Sequence, residues 1–292
     1  METVPNHPRP AKGRTESILS SDDFTVIVKL KGSDLHEEWK AQQQQKREHQ
    51  SEAQLEAELI KTLKTQGYDY QPDLTDEAAL IRNLRKQLER LNTRAEEGAY
   101  GPNSGFHFTD EEFNRLLTEH IARSNDGILE KAKLIQEERF IDFRLDNGTL
   151  RSIMLIDAAY PARNRMQVIN QYRVPTANGK VLNRYDVTIL VNGLPLVHIE
   201  LKKRNVSIRE AFNQIERYQN EGFQQDKHRL FEYAQIFVIS NGFETKYYSN
   251  TVRHKHVEDQ QKTGRKTASG GSAGKSFDFT SYWSDEQNNR IN

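Results

Sequence analysis

Apolar residues recur every three to four positions over Ser51–Thr65, where Leu55, Leu59 and Leu63 fall four apart, Ile60 lies beside them and Gly67 closes the run. That spacing predicts an amphipathic helix. The same period predicts a second helix over Thr75–Ala95, on Leu80, Leu84, Leu88 and Leu91. A third begins at Thr109, a good N-cap, with Glu111 and Glu112 in its first turn and Phe113, Leu116, Leu117 and His120 following. Gly127–Glu138 reads as a further short helical stretch. Near Phe140 the pattern changes to short β-type runs. Phe140–Leu145 and Leu150–Asp157 flank the turn Asp146-Asn147-Gly148, and Met166–Val174 follows. Tyr185–Val191 and Leu196–Lys202 flank Asn192-Gly193, a strong hairpin signal. A helix over Ser207–Gln219, an apolar strand over Ala234–Ser240 and an edge strand over Thr245–Ser249 complete the series. Strands before and after a crossover helix predict an α/β fold, a mixed central β-sheet flanked by helices on both faces.

The ends of the chain lack this periodicity. Met1–Ser21 is rich in Pro, Lys, Arg and Ser and reads as a tail; Phe24–Leu30 is a short strand, and Glu37–Gln50 is nearly all polar. Residues 1–50 are thus a tail and polar extension, and 51–250 the folded domain. Residues 251–276 carry HKH, QQK, GRK and SGGSAG and read as a linker. Residues 277–292 regain aromatics. Composition narrows the partners. Of 292 residues, 29% are charged and the formal net charge is zero, so any nucleic acid must meet a local basic patch. The absence of cysteine excludes disulfides and thiolate metal sites and suits a reducing cytoplasm. No apolar run has the length to cross a bilayer and no signal-peptide core is found, so the expectation is a cytoplasmic protein without a membrane partner.

Three ionisable residues interrupt the paired apolar runs: Asp186, Glu200 and Lys202. Glu200 and Lys202 are two apart and share a strand face. A hairpin closed at Asn192-Gly193 brings Asp186 alongside them. Two carboxylates can hold a hard divalent cation, which polarises a phosphoryl oxygen and acidifies a bound water. The lysine can orient that water or neutralise charge developing in the transition state. The plainer alternative is a cross-strand salt bridge on a solvated face.

Asp186 followed by Glu200-Leu201-Lys202 resembles the PD-(D/E)xK nuclease signature, with Tyr185 in the proline position. Gln214-Ile215-Glu216-Arg217-Tyr218 matches the Gln-x-x-x-Tyr motif of one nuclease branch. The wider text RYDVTILVNGLPLVHIELKK…AFNQIERY resembles the N-terminal nuclease domain of the R subunit (HsdR family) of type I restriction enzymes, over about Glu52 to Ser249. The resemblance implies a restriction-endonuclease-like core cleaving double-stranded DNA. Its cofactor would be Mg²⁺, with Mn²⁺ as a substitute, and ATP would serve only the full-length subunit. Asp186, Glu200 and the Leu201 carbonyl would bind metal and Lys202 would orient water. Gln214 would contact the metal-site water or the scissile phosphate, Tyr218 would bond a DNA phosphate or support the site, and Arg217 and Lys203 could add phosphate contacts. The first helix of related nucleases supplies a further glutamate about three turns before a terminating glycine. Glu56 holds that place relative to Gly67, and Glu52, one turn earlier on the same face, competes. Partners would be the modification and specificity subunits, and residues 277–292 would begin the connection to an ATP-driven translocase. Alternatives are a catalytically silent DNA-binding or assembly module and a repair or junction nuclease on the same core.

Other motifs carry less. Ser269–Ser276 falls short of a phosphate-binding loop, because Ser269 stands where the first glycine belongs. His254 and His256 lack a third metal ligand. His198 shares the Glu200–Lys202 face and reads as a satisfied core histidine in preference to a group supporting the metal site.

Overall fold

In the computed structural model the described residues are 16–19, 26–29, 50–93, 105–175, 181–219, 223, 227–255, 277 and 280–284. The chain divides into two units, Met1–Gln50 and Ser51–Asn292. In the first, β1 (Glu16–Leu19) and β2 (Val26–Lys29) form an antiparallel pair. The stretch read as a tail therefore contains a strand. The polar run Glu37–Gln50 lies outside the described residues except for its last position.

The second unit opens at Ser51, whose side chain accepts from Gln54 N while Gln54 returns a bond to the Ser51 backbone. This capping box starts α1 (Glu52–Thr65). Asp76 caps α2 (Glu77–Asn92) through Ala79 N at 2.8 Å. Thr109 caps α3 (Asp110–Leu116), which loosens into a π-turn over Leu117–Ile121. A similar π-turn, Leu134–Glu138, ends α4 (Ile128–Lys133), and Ser207 caps α5 (Ile208–Arg217).

The main sheet contains β3 (Asp69–Tyr70), β6 (Met166–Pro175), β7 (Val181–Val191), β8 (Leu194–Leu201), β9 (Ile236–Ser240), β10 (Thr245–Ser249) and β11 (Ser281–Tyr282). The spatial order is β11-β10-β9-β8-β7-β6-β3. Only β3–β6 and β8–β9 pair in parallel. The sheet is thus mixed, as expected, and mostly antiparallel. Three features depart from the sequence reading. The hairpin of β4 (Phe140–Arg144) and β5 (Leu150–Met154) is a separate two-stranded sheet. β10 is not an edge, because β11 from the stretch read as a connection pairs with it. Residues 251–255 at the start of the expected linker continue a helical turn that begins at Asn250, and 256–276 lie outside the described residues.

Helices cover both faces. On one, Ile60 and Leu63 of α1 pack on Val168, Val187, Ile189, Ile199 and Leu201. On the other, leucines of α2 and Phe212 and Ile215 of α5 join a larger core with Tyr172, Tyr185, Phe231 and Phe237. Among the described residues no helix is long and apolar enough to cross a membrane.

The β7–β8 turn is built for close approach. Asn192 and Gly193 have φ of +50° and +86°, the pair of positive angles that a two-residue hairpin loop requires. The buried Asn192 amide donates to Leu155 O at 2.9 Å and to Asn164 Oδ1 at 2.7 Å. A Cβ on Gly193 would meet Leu84 Cα at 2.6 Å. Gly193→Ala is expected to cost about 3 kcal/mol, from left-handed strain and overpacking together, read as a lower urea midpoint.

Candidate active site

The site forms where strands stop pairing. The β7–β8 ladder reaches Val187–Ile199, and the next residues on each strand, Asp186 and Glu200, are not paired with each other, although Glu200 stays paired with Ile239 of β9. On the other side of β7 the ladder passes from Asn170–Val187 to Tyr172–Tyr185 and omits Gln171 and Asp186. A side chain takes over from the backbone here: Leu201 N donates to Asp186 Oδ2 at 2.9 Å. Lys202 N donates to Ser240 O at 2.8 Å, which keeps the chain on β9 as it leaves β8. The structure therefore brings Asp186, Glu200 and Lys202 to one place, on the central strand of seven and its neighbour.

Burial works against the charged forms of both carboxylates here. Glu200 is fully buried; its Oε1 accepts from Lys202 Nζ at 3.1 Å. The same ammonium reaches Leu201 O at 3.1 Å. Among the described residues no N–H or O–H donor reaches Glu200 Oε2, and the charge of Glu200 acts on the Asp186 carboxyl. Burial, and then the charge of Glu200, push Asp186 up to about 7. Burial also raises Glu200 to about 7, against the pull of Lys202. Two buried, donor-poor carboxylates raised in this way suit a hard divalent cation. Among the described residues no three His, Asp or Glu side chains converge to hold a metal; the oxygens gathered here are those of two carboxylates, with the Leu201 carbonyl beside Lys202 Nζ.

His198 is buried among aromatic rings, with Nδ1 at 3.2 Å from Thr188 Oγ1. Among the described residues its Nε2 meets no hydrogen-bond partner, and it lies 3.6 Å from Glu200 Oε2. Burial pushes it down to about 4, so it is neutral at physiological pH. It is a half-satisfied core histidine at the back of Glu200.

Tyr218 turns inward. Its buried hydroxyl donates to Arg184 O at 3.0 Å and accepts from Gln214 Nε2, and burial raises its pKa. The pair braces α5 against β7 two residues before Asp186, a placement that fits the supporting role. Arg217 and Lys203 are exposed.

The two helix glutamates separate. Glu52 is exposed and its Oε1 accepts from Lys203 N at 3.4 Å, just past β8; its charge helps raise Glu200. Glu56 is buried, and its two oxygens accept from Asn170 Nδ2 and Gln171 Nε2 of β6. α1 thus lies across the strands, with Glu52 at the β8 side and Glu56 at the β6 side. Asn170 and Gln171 were not picked out from the sequence. The available signal was an adjacent pair of amides inside the otherwise strand-like MQVINQYRV.

Residues 49–256 match the family described as type I restriction enzyme R protein N terminus. The chain is 39% identical over 277 residues to the type I restriction enzyme EcoprrI endonuclease subunit of Escherichia coli, covering 95% of this chain and 75% of that protein. It is 36% identical over 244 residues to the SsaAORF53P endonuclease subunit of Staphylococcus saprophyticus, covering 84% of this chain and 22% of that protein. The SauCOLORF180P endonuclease subunit of Staphylococcus aureus is 37% identical, with the same coverage of both chains.

Proposed function

The chain belongs to the type I restriction enzyme R protein N-terminal family, and from that premise we propose that it is the subunit's Mg²⁺-dependent nuclease, hydrolysing phosphodiester bonds of double-stranded DNA. One observation carries the reading: two buried carboxylates, both raised to about 7, meet where the strands part, with a lysine ammonium 3.1 Å from one of them. A divalent cation bound there would supply the positive charge that polarises a phosphoryl oxygen and acidifies a water. Asp186 and Glu200 would hold it, with the Leu201 carbonyl as a further oxygen donor. Lys202, packed against Glu200, orients the attacking water and offsets charge developing on the phosphate oxygens. Gln214 and Tyr218 keep β7 in place behind Asp186. Glu56, held by Asn170 and Gln171 at the β6 side of α1, would serve as a further carboxylate near the centre without joining the two that hold the metal.

In this reading the cut is delivered within a larger assembly. The relatives are named endonuclease subunits, and the chain spans 22% of the staphylococcal ones. The complete subunit would carry an ATP-driven translocase and would join modification and specificity subunits, which supply the recognition of DNA sequence.

A crystal soaked in Mn²⁺ tests the centre directly. An anomalous peak within coordination reach of both Asp186 and Glu200 is the expected result. No peak at saturating Mn²⁺, with the two carboxylates ordered and turned apart, would favour a silent docking module and overturn the proposal.

A further inference from the structure

β6 breaks strand alternation at one residue. Successive side chains of a regular strand point to opposite faces. Val168 accordingly packs on the α1 side and Ile169 on the other. Asn170 turns back to α1, but Gln171 follows it to the same side, and Tyr172 resumes on the far side. The cause is φ of +56° at Gln171, a left-handed backbone that is unfavourable for any residue with a Cβ. The residue lies opposite Asp186, where the ladder lapses.

The break places two amides on one carboxylate. Asn170 Nδ2 donates to Oε1 of Glu56 and Gln171 Nε2 to Oε2. Asn170 Oδ1 accepts from the Tyr70 hydroxyl at 2.9 Å, so its amide cannot turn over without losing both bonds. Glu56, Asn170 and Tyr70 line a cleft of about 480 Å³ beside α1. Glycine or asparagine would occupy this backbone more easily. Neither has the length of glutamine to reach the helix. A strained residue maintained at the level of Asp186 is the kind of outlier that marks a functional constraint.

We infer that Asn170 and Gln171 are positioning residues of the nuclease centre: they aim Glu56 and make it, and not Glu52, the helix carboxylate that serves the site. This rests on the nuclease reading above. Glu52 is exposed and accepts from Lys203 N at 3.4 Å; its charge acts on Glu200, but among the described residues no pair of amides fixes it.

The test uses the complete subunit in its assembled complex, with Gln171→Asn and Gln171→Gly. Both residues tolerate positive φ, so thermal stability is kept while the bond to Glu56 is lost. Cleavage is expected to fall by about 10–100-fold, the usual cost of losing a supporting partner. Mn²⁺ binding, followed by electron paramagnetic resonance without DNA, is expected to weaken by about tenfold. Gln171→Asn should add nothing once Glu56→Ala is present, because both act through one carboxylate. A merely structural Gln171 gives losses that multiply, and that result overturns the inference. So does wild-type cleavage or wild-type Mn²⁺ affinity in both Gln171 variants, or a loss with Glu52→Gln and none with Glu56→Gln. Lys202→Ala separates the two levels. If it cuts normally, the nuclease reading itself falls; if it is inactive while Gln171→Asn and Glu56→Ala cut normally, only the positioning inference falls.

Discussion

Lys202→Ala is expected to reduce DNA cleavage by the assembled enzyme by about 1000-fold or more, while ATP-driven translocation by the complete subunit continues. The size follows from the place of the ammonium. It is almost wholly buried and bonds Glu200 Oε1 and Leu201 O, each at 3.1 Å. In such a water-poor place, a cation aimed at developing negative charge is worth several kcal/mol in the transition state. Alanine removes it and leaves the backbone bond from Lys202 N to Ser240 O in place, so the end of β8 stays docked. Asp186→Asn tests the metal side with equal economy. The amide oxygen can still accept from Leu201 N, while the negative charge that would hold a cation is gone. Plasmid linearisation measured beside ATP turnover separates cutting from movement. Either variant cutting at more than about a tenth of the wild-type rate would falsify the assignment, since one lost transition-state contact costs about 100-fold or more.

The second large effect is on stability, and its sign depends on pH. Asp186 and Glu200 titrate near 7 in the fold, against ordinary values of 3.8 and 4.5. A raised folded pKa means that the folded state holds protons that the unfolded chain releases. The site's contribution is therefore fully favourable below about pH 4 and is lost as pH rises through about 7. At pH 8 the metal-free protein bears two charged carboxylates in one buried place. Asp186→Asn removes one charge and is expected to add about 3 kcal/mol at that pH, or about 5–10 °C in Tm for a domain of this size. At pH 4 the gain should vanish. Millimolar Mg²⁺ should raise the wild-type Tm at pH 8, less so at pH 6 where protons compete, and leave the Asn variant unmoved. Thermal scans over this grid decide it; a wild-type Tm insensitive to Mg²⁺ at pH 8 contradicts the proposed metal role.

Much of this place was legible without coordinates, because short-range rules govern it. Asn192-Gly193 specifies a two-residue loop, and counting outward from it sets Asp186 opposite Ile199, next to Glu200; the irregularity at Leu196 that brings Asp186 level with Glu200 itself has no local signal. Alternation along β8 then adds Lys202. The cap at Thr109 follows from a side chain that satisfies free N–H groups locally, and the helical stretches read from Ser51 and Ser207 start at residues that the structure shows to be caps as well. What was not legible depends on distant contacts. Nothing local separates a hairpin that joins the main sheet from one that stands apart, as β4–β5 does. β3 and β11 are two residues each, too short to show a period. The inward turn of Tyr218 depends on the Arg184 carbonyl, 34 residues away. The left-handed Gln171 contradicts its own residue type, so local preference points away from it.

The outer strands have a further consequence. β3 and β11, at the two margins of the sheet, are each a two-residue strand. β11 pairs with Lys246 and Tyr247 of β10, and the Lys246 ammonium is held by Thr280 Oγ1 at 2.9 Å between the rings of Phe277 and Tyr282. A long, flat, unpaired margin would be a template for joining another chain strand to strand and for aggregation. Each outer strand presents only two residues of backbone at the margin, covering Gln167 and Val168 of β6 on one side and Lys246 and Tyr247 of β10 on the other, and a strand that short is a poor template for a stray neighbour.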